Sequence, residues 1–216
     1  GVTGICGSGI IEAIAELYLC RIISQDGLFD ESMMGRSNRI IKEGRTCSYL
    51  LHIGEPELRI TQNDIRAIQL AKAALYAGIR LLMDHLGIEE VQRIRLAGAF
   101  GSHIDVKYAM ILGLIPDCDL DHVSSAGNAA GTGARMALLN HESRREIEET
   151  VRKIEKVETA VEPAFQQHFV DAMAIPHKHA PSTHLQKTVS LPEAKNNAQG
   201  NGDSTSRRRR SKRVAA

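Results

Sequence analysis

The chain has 216 residues, of which 43% are hydrophobic and 25% charged, and it contains no tryptophan. This composition favours one folded domain with an ordinary core, and the longest apolar runs are too short to span a membrane. The formal net charge of +1 is unevenly divided, because residues 177–216 carry +7 and the preceding residues carry −6.

The beginning of the chain predicts a helix followed by paired strands. The chain starts with Gly1 rather than methionine, and its opening GVTGICGSG has the pattern of a domain interior, so we expect a fragment of a longer protein. Apolar residues at helical spacing predict a helix over 8–23, capped by Ser8 or Gly7. Short strands over 40–42 and 48–53 are expected to pair.

A long helix is the strongest predicted element. It opens at Thr61, whose spacing to Asp64 matches a capping box, and it ends at Gly87. Leucines and isoleucines face several sides of the predicted helix. We therefore expect it to be buried around most of its surface, with Leu75 in the core.

Strands and helices alternate in the rest of the chain. The predicted order is a strand over 93–100, a helix over 106–114 closed by Pro116, a strand over 121–126, helices over 134–139 and 142–157, a strand over 156–161 and a helix over 163–175. This alternation predicts an α/β domain over 1–175. Residues 176–216 are polar and include the run RRRRSKR, so we expect a disordered basic tail, and nucleic acid is not expected as a partner.

Three turns made of small residues precede predicted helices: TGICGSG at 3–9, GAFGS at 98–102 and GNAAGTG at 127–133. Such a turn exposes backbone N–H groups at the start of a helix, and these donors suit a phosphate. One such turn alone is typical of close packing, and none of the three matches a P-loop or a dinucleotide fingerprint. Three turns in one domain favour a nucleotide site.

Four blocks of the chain together resemble a known family. They are GICGSGIIEAIAELY, ITQNDIRAIQLAKAALYAGIRLL, RIRLAGAFGSHID and GNAAGTGARMALL, and the resemblance is to the C-terminal ATPase domain of reductive activators of corrinoid proteins. This family belongs to the superfamily of acetate and sugar kinases, heat-shock chaperones and actin. The resemblance implies a ribonuclease-H-like, actin-like ATPase lobe, with ATP and Mg²⁺ held between two lobes.

The resemblance also implies an activity and a partner. In the family, ATP hydrolysis is coupled to low-potential electron transfer, which returns inactive cob(II)amide to cob(I)amide on the corrinoid protein of a methyltransferase. A [2Fe–2S] cluster lies in an N-terminal domain that is missing here, as is the first ATPase lobe. We therefore expect a cytoplasmic protein without a membrane partner, and a homodimer is one option.

The resemblance assigns residues of each turn to the nucleotide. It places Gly4, Gly7, Ser8 and Gly9 nearest the phosphates, Gly98, Ala99 and Gly101 on the adenosine side, and Gly127, Asn128, Gly131 and Gly133 in the turn beside it. Catalytic residues are not assigned, since the acidic residues that would hold Mg²⁺ belong mostly upstream of Gly1 in the family. Asp64 and Asp105 are better explained as helix caps. We expect the fragment alone to be inactive, because phosphoryl transfer requires those groups.

The cysteines predict no metal site, and two other functions are compatible with the sequence. Cys6, Cys20, Cys47 and Cys118 are far apart, which predicts reduced, mostly buried thiols and no metal site. One alternative function is the lobe of a sugar or acetate-type kinase, which would need a carboxylate to bind the acceptor. Another is a regulatory nucleotide-binding domain that does not hydrolyse.

Overall fold

A computed structural model describes residues 1–159 and 161–193. The helices and strands of these residues, in chain order, are α1 (Gly7–Leu19), β1 (Ile40–Glu43), β2 (Thr46–His52), β3 (Leu58–Thr61), α2 (Gln62–His85), β4 (Ile94–Ala97), α3 (Val106–Leu112), β5 (Val123–Gly127), α4 (Ala129–Leu139), α5 (His141–Val151) and α6 (Pro163–Asp171). The predicted mixture of helices and strands is confirmed.

The strands form two sheets. Strands β1, β2 and β3 make an antiparallel meander in which Ile40 faces Tyr49 and Ser48 faces Thr61. Strands β4 and β5 form a parallel pair, beginning with Ile94 beside Val123. The predicted pairing of the first two strands is therefore confirmed, and the parallel pair brings the ends of β4 and β5 to the same edge.

Helix α1 provides much of the main core. Ile11, Ile14 and Leu17 are buried on one face, and the helix packs against α3. Its N-cap is Cys6, whose Sγ accepts a hydrogen bond from Gly9 N at 3.4 Å, so the predicted caps Ser8 and Gly7 are wrong. A thiol can replace the more usual hydroxyl because it is also a weak acceptor.

Helix α2 confirms the predicted ends but not the predicted burial. Thr61 and Asp64 form the capping box, and Gly87 follows the helix at φ +65°. One face is buried, including Leu81 at 2% exposure, whereas Leu75 is 49% exposed. Sequence periodicity shows which residues share a face, but it does not reveal which apolar faces meet a neighbour.

The structure corrects several predictions for the second half of the chain: β4 covers only Ile94–Ala97, α5 ends at Val151 and α6 ends at Asp171. Helix α3 ends at Leu112 because Gly113 adopts a left-handed conformation, before Pro116 is reached. Helix α4 begins at Ala129 rather than at 134, since the Asn128 side chain caps its first turn. The described residues of segment 156–161 form no strand.

The segment after α6 is packed, which corrects the prediction that a tail begins at 176. Leu185 is 1% exposed. The Asp117 carboxylate accepts hydrogen bonds from the backbone N–H groups of His184 at 2.7 Å and Leu185 at 2.9 Å. The buried leucine and these bonds hold residues 176–193 on the body. The part of the tail prediction that concerns 194–216 lies outside the described residues.

A buried lysine joins α2 to the same C-terminal segment. Lys72 is 1% exposed. Its Nζ donates to the carbonyl oxygens of Ala174 and Pro176, the latter at 2.7 Å. One helical turn earlier, Gln69 Nε2 donates to Met173 O at 2.9 Å. Burial lowers the pKa of Lys72 to about 7.

The cysteines and the helices bear on two further expectations. All four cysteines are free; Cys47 and Cys118 are buried, whereas Cys6 and Cys20 are exposed. The prediction of mostly buried thiols therefore holds for two of the four. Within the described part of the chain, none of the helices combines the length and the apolar content that crossing a membrane requires.

Candidate functional site

The three turns of small residues lie next to one another. Gly98 N donates to Gly127 O at 2.8 Å, which joins the turn after β4 to the turn after β5. A Cβ built on Gly7 would lie 3.2 Å from the Phe100 ring, so the start of α1 touches the turn after β4. The parallel pairing of β4 with β5 creates this arrangement, because both strands end at one edge.

The turn after β4 is a short 3-10 helix, Phe100–Ser102, preceded by Gly98 at φ +99°. Few residues other than glycine adopt this conformation, so Gly98 is required by the backbone itself. Ser102 Oγ donates to Gly98 O at 3.0 Å and closes the turn. Phe100 is 52% exposed, and its ring lies next to Gly7.

The turn after β5 leads directly into α4. Gly127 has φ +61°, and Asn128 Oδ1 accepts a hydrogen bond from Gly131 N at 2.9 Å. This bond caps the helix, which places most of the GNAAGTG stretch in the first turns of α4 rather than in a loop. The N–H groups of Ala129 and Ala130 accordingly have no acceptor among the described residues.

The predicted site glycines divide into two groups by their surroundings. A Cβ on Gly4, Gly98, Gly127 or Gly133 would meet no atom of residues 1–159 and 161–193 within 4 Å. In the other group a Cβ would meet existing atoms: Gly7 the Phe100 ring at 3.2 Å, Gly9 the Ile5 side chain at 3.2 Å, Gly101 the Leu96 Cβ at 3.0 Å and Gly131 the Asn128 amide at 2.7 Å. The first group leaves open space that a ligand could fill, and the second serves packing or capping.

The remaining predicted site residues lie in the same region. Ala99 is exposed at the start of the 3-10 turn, and Asn128 is the α4 cap. Ser8 lies in the first turn of α1, with its Oγ 3.3 Å from Cys6 Sγ. The Ser8 hydroxyl and the Gly9 N–H lower the pKa of the exposed Cys6 thiol.

Sequence reasoning missed three residues of this region, Phe100, Ser102 and Ser125. Phe100 joins two of the turns, and the two serine hydroxyls lie 3.2 Å apart. A large exposed aromatic inside a run of small residues was the available signal for Phe100. The serines gave no comparable signal, because their pairing depends on the register of β4 and β5.

The described residues do not provide a metal centre. Asp64 caps α2 and Asp105 caps α3, as predicted, so both carboxylates are already occupied by backbone N–H groups. Over 1–159 and 161–193, no three side chains of His, Cys, Asp or Glu are grouped in a way that could hold a metal ion. The residues described therefore do not supply a ligand set for Mg²⁺ or for an iron–sulfur cluster.

Comparisons with known proteins identify relatives of the chain. Residues 1–186 match a family model described as the C-terminal domain of RACo, the ASKHA domain. The corrinoid activation enzyme RamQ of Eubacterium limosum is 37% identical over 179 residues, which are 77% of this chain and 30% of that protein. A solved structure of a reductive activator for a corrinoid, iron–sulfur protein matches 82% of this chain and 29% of its own, at 34% identity and a TM-score of 0.72.

The chain spans less than a third of the length of either relative. Its match to the family model nevertheless covers most of its own residues. The match includes the two sheets, the long helix and the glycine turns described above. The chain therefore belongs to the family of the C-terminal ASKHA domain of RACo and has the actin-like fold of that family.

Proposed function

We propose that this chain is the nucleotide-binding lobe of an ATP-dependent reductive activator, which returns cob(II)amide to cob(I)amide on the corrinoid protein of a methyltransferase. The observation that carries the proposal is the pair of adjoining glycine turns with open space above Gly98, Gly127 and Gly133. Relatives that are named as corrinoid activators support the choice of reaction.

The chain's own contribution would be to bind and orient the nucleotide. Gly98 and Gly127 present bare backbone side by side, and a purine with its sugar needs such close approach. The N–H groups of Ala129 and Ala130 point out of the first turn of α4, where the helix dipole favours an electronegative group. ATP would supply the free energy for the reduction. The carboxylates that hold Mg²⁺ and position water, and the domain that holds the [2Fe–2S] cluster, would belong to other parts of the protein.

Gly133→Val is the sharpest test of the nucleotide site. Gly133 lies inside α4, has no positive φ and has open space at its Cβ position. The fold without ATP should therefore accommodate valine there. We expect ATP affinity of the full-length protein to fall more than tenfold, about 1.4 kcal/mol, because the added side chain occupies ligand space. Isothermal titration calorimetry measures the affinity, and a melting curve without ATP monitors the fold.

Gly78→Val is the matched control. Gly78 is also helical and also leaves an open Cβ position, but it lies in α2. It should leave ATP affinity unchanged. Gly98→Val and Gly131→Val are less informative, since valine at Gly98 is strained by φ +99° and at Gly131 would collide with the Asn128 cap. Unchanged ATP binding by Gly133→Val would show that α4 does not line the site.

A second measurement separates the activator from the two alternatives. The full-length protein with reductant, ATP and a corrinoid protein should convert the cob(II)amide absorbance spectrum to that of cob(I)amide, in proportion to ATP hydrolysed. A kinase would instead phosphorylate a small acceptor without any corrinoid. A regulatory domain would bind ATP and leave it intact. ATP hydrolysis that is indifferent to the corrinoid protein would contradict the proposal.

A further inference from the structure

Two serine hydroxyls complete a closed ring of hydrogen bonds beneath the two glycine turns. Gly98 N donates to Gly127 O at 2.8 Å, and Gly127 N donates to Ser125 Oγ at 3.1 Å. Ser125 Oγ lies 3.2 Å from Ser102 Oγ, and Ser102 Oγ donates to Gly98 O at 3.0 Å. Two of these four hydrogen bonds cross between the turns, and each of the other two lies within one turn.

The direction of every bond in the ring is fixed by chemistry. Gly127 N–H can only donate and Gly98 O can only accept. Ser125 therefore accepts from Gly127 and donates its own proton to Ser102, which in turn donates to Gly98. Each hydroxyl uses one proton and one lone pair, so only a residue with a hydroxyl can occupy either position without breaking the ring.

A bulge in β5 creates this geometry. Leu96 pairs with Ser125 and Ala97 pairs with Gly127, which leaves Ala126 as an extra residue in β5. Such a bulge redirects the strand at its end. Here it allows the Gly127 N–H to turn back to the Ser125 hydroxyl and the Gly127 carbonyl to reach Gly98.

We propose that Ser102 and Ser125 are positioning residues for the nucleotide, acting through Gly98 and Gly127 rather than by contact with it. The inference rests on the proposed function. Both glycines have positive φ, and no atom of the described residues lies within 4 Å of a Cβ position on either, so no packed side chain fixes them beyond the bonds of the ring. The serine ring holds the two turns at one separation, and that separation sets the width available to the adenosine part of the ligand.

The ring contributes little to stability, because both serines are exposed and water can replace an exposed hydrogen bond. Its loss should therefore weaken nucleotide binding while the fold survives. ATP, ADP and adenosine should be affected alike, since the turns face the part that the three ligands share. The turnover number at saturating ATP should stay constant, because neither serine reaches a reacting atom.

The experiment compares the full-length wild type with Ser102→Ala, Ser125→Ala, the double variant and the conservative Ser102→Thr and Ser125→Thr. Calorimetry with ATP, ADP and adenosine gives Kd, and steady-state ATP hydrolysis gives kcat and KM. Each alanine variant should raise all three Kd values about fivefold, roughly 1 kcal/mol. The double variant should be no worse than either single one, because one break already opens the ring. Threonine should restore binding, since it retains the hydroxyl.

Ser124→Ala is the matched control, because Ser124 is exposed on the same strand and lies outside the ring. If wild type binds ATP and the Ser102 and Ser125 variants bind it as tightly as Ser124→Ala does, this inference is overturned and the proposed function stands. Fully additive losses, or failure of threonine to restore binding, would also overturn it. If wild type binds no ATP, the proposed function itself fails.

Discussion

The buried Lys72 leads to a prediction about how stability changes with pH. Its ammonium donates to the Ala174 and Pro176 carbonyls in a site where the lysine is 1% exposed, and burial lowers its pKa from 10.5 to about 7. The pKa of the neighbouring His177 is lowered to about 4, chiefly by its own burial, so that histidine stays neutral from pH 6 to 10. Lys72 is therefore the group in this contact expected to titrate there.

The sign follows from proton binding in the two states. Between pH 7 and 10.5 the unfolded chain holds a proton on Lys72 that the folded chain has released, so the free energy of unfolding rises with pH. This stability is complete above the unfolded pKa and is lost as the pH falls through the folded value. The slope is at most about 1.4 kcal/mol per pH unit, because Lys72 exchanges at most one proton.

Lys72→Met removes the titration as well as the hydrogen bonds. The two carbonyls then lose their donor, at about 1–3 kcal/mol for each one left unsatisfied, while a buried charge is also removed. Near pH 6, Lys72 is charged in both the folded and the unfolded state. There the loss of the donor destabilises the fold, whereas removal of the buried charge stabilises it. The destabilisation caused by the mutation should consequently be smallest at pH 6 and should grow by up to about 4 kcal/mol by pH 10.

Urea unfolding of the 216-residue chain, followed by circular dichroism at pH 6, 7, 8, 9 and 10, measures this difference. Subtracting the variant from the wild type cancels all other titrating groups that they share. Lys178→Met is the control, because it removes an exposed lysine of the same segment and leaves the buried site of Lys72 intact. A difference between wild type and Lys72→Met that stays flat from pH 7 to 10 would refute the reasoning.

Two further predictions test the packing of α2 and of the C-terminal segment. Leu81→Ala should lower the free energy of unfolding by about 2–5 kcal/mol and Leu75→Ala by under about 1, because only Leu81 is buried; equal losses in urea titrations would contradict the assigned faces. Asp117→Ala should cost about 1.5–3 kcal/mol and speed proteolysis near residue 185, since a carboxylate that accepts two backbone N–H bonds is lost. Asp119→Ala is the control, because it removes one exposed cap; it should cause neither that loss of stability nor faster proteolysis near residue 185.

The elements that sequence located best have strong local causes. The capping box of Thr61 and Asp64 and the glycine at 87 fix the ends of α2 through contacts between residues close in sequence. The start of α4 was missed because glycines at 131 and 133 suggest a turn, whereas the Asn128 cap makes them helical. Helix propensity is a weak guide where a cap decides the outcome.

Burial was harder to predict because it depends on partners that are distant in sequence. Segment 176–193 has the composition of a tail, yet Leu185 is buried and Asp117 binds the backbone beside it. Leu75 has the apolar side chain typical of a core residue, yet among the described residues its side chain is about half exposed. The contact between Asp117 and Leu185 joins residues more than sixty positions apart. The periodicity of apolar residues does not predict such a contact, nor does it show which apolar side chains stay exposed.

The candidate site illustrates why a motif is less specific than its glycine count suggests. In GNAAGTG, Gly127 is needed for its φ of +61°, and Gly131 is needed because a Cβ would strike the Asn128 cap. Both would be required even in a protein that binds nothing. Only Gly133 combines an ordinary helical backbone with open space. The evidence for a ligand therefore lies in the adjoining turns and the open space at Gly98, Gly127 and Gly133 together, and ATP binding by a Gly133 variant tests it more directly than a count of glycines.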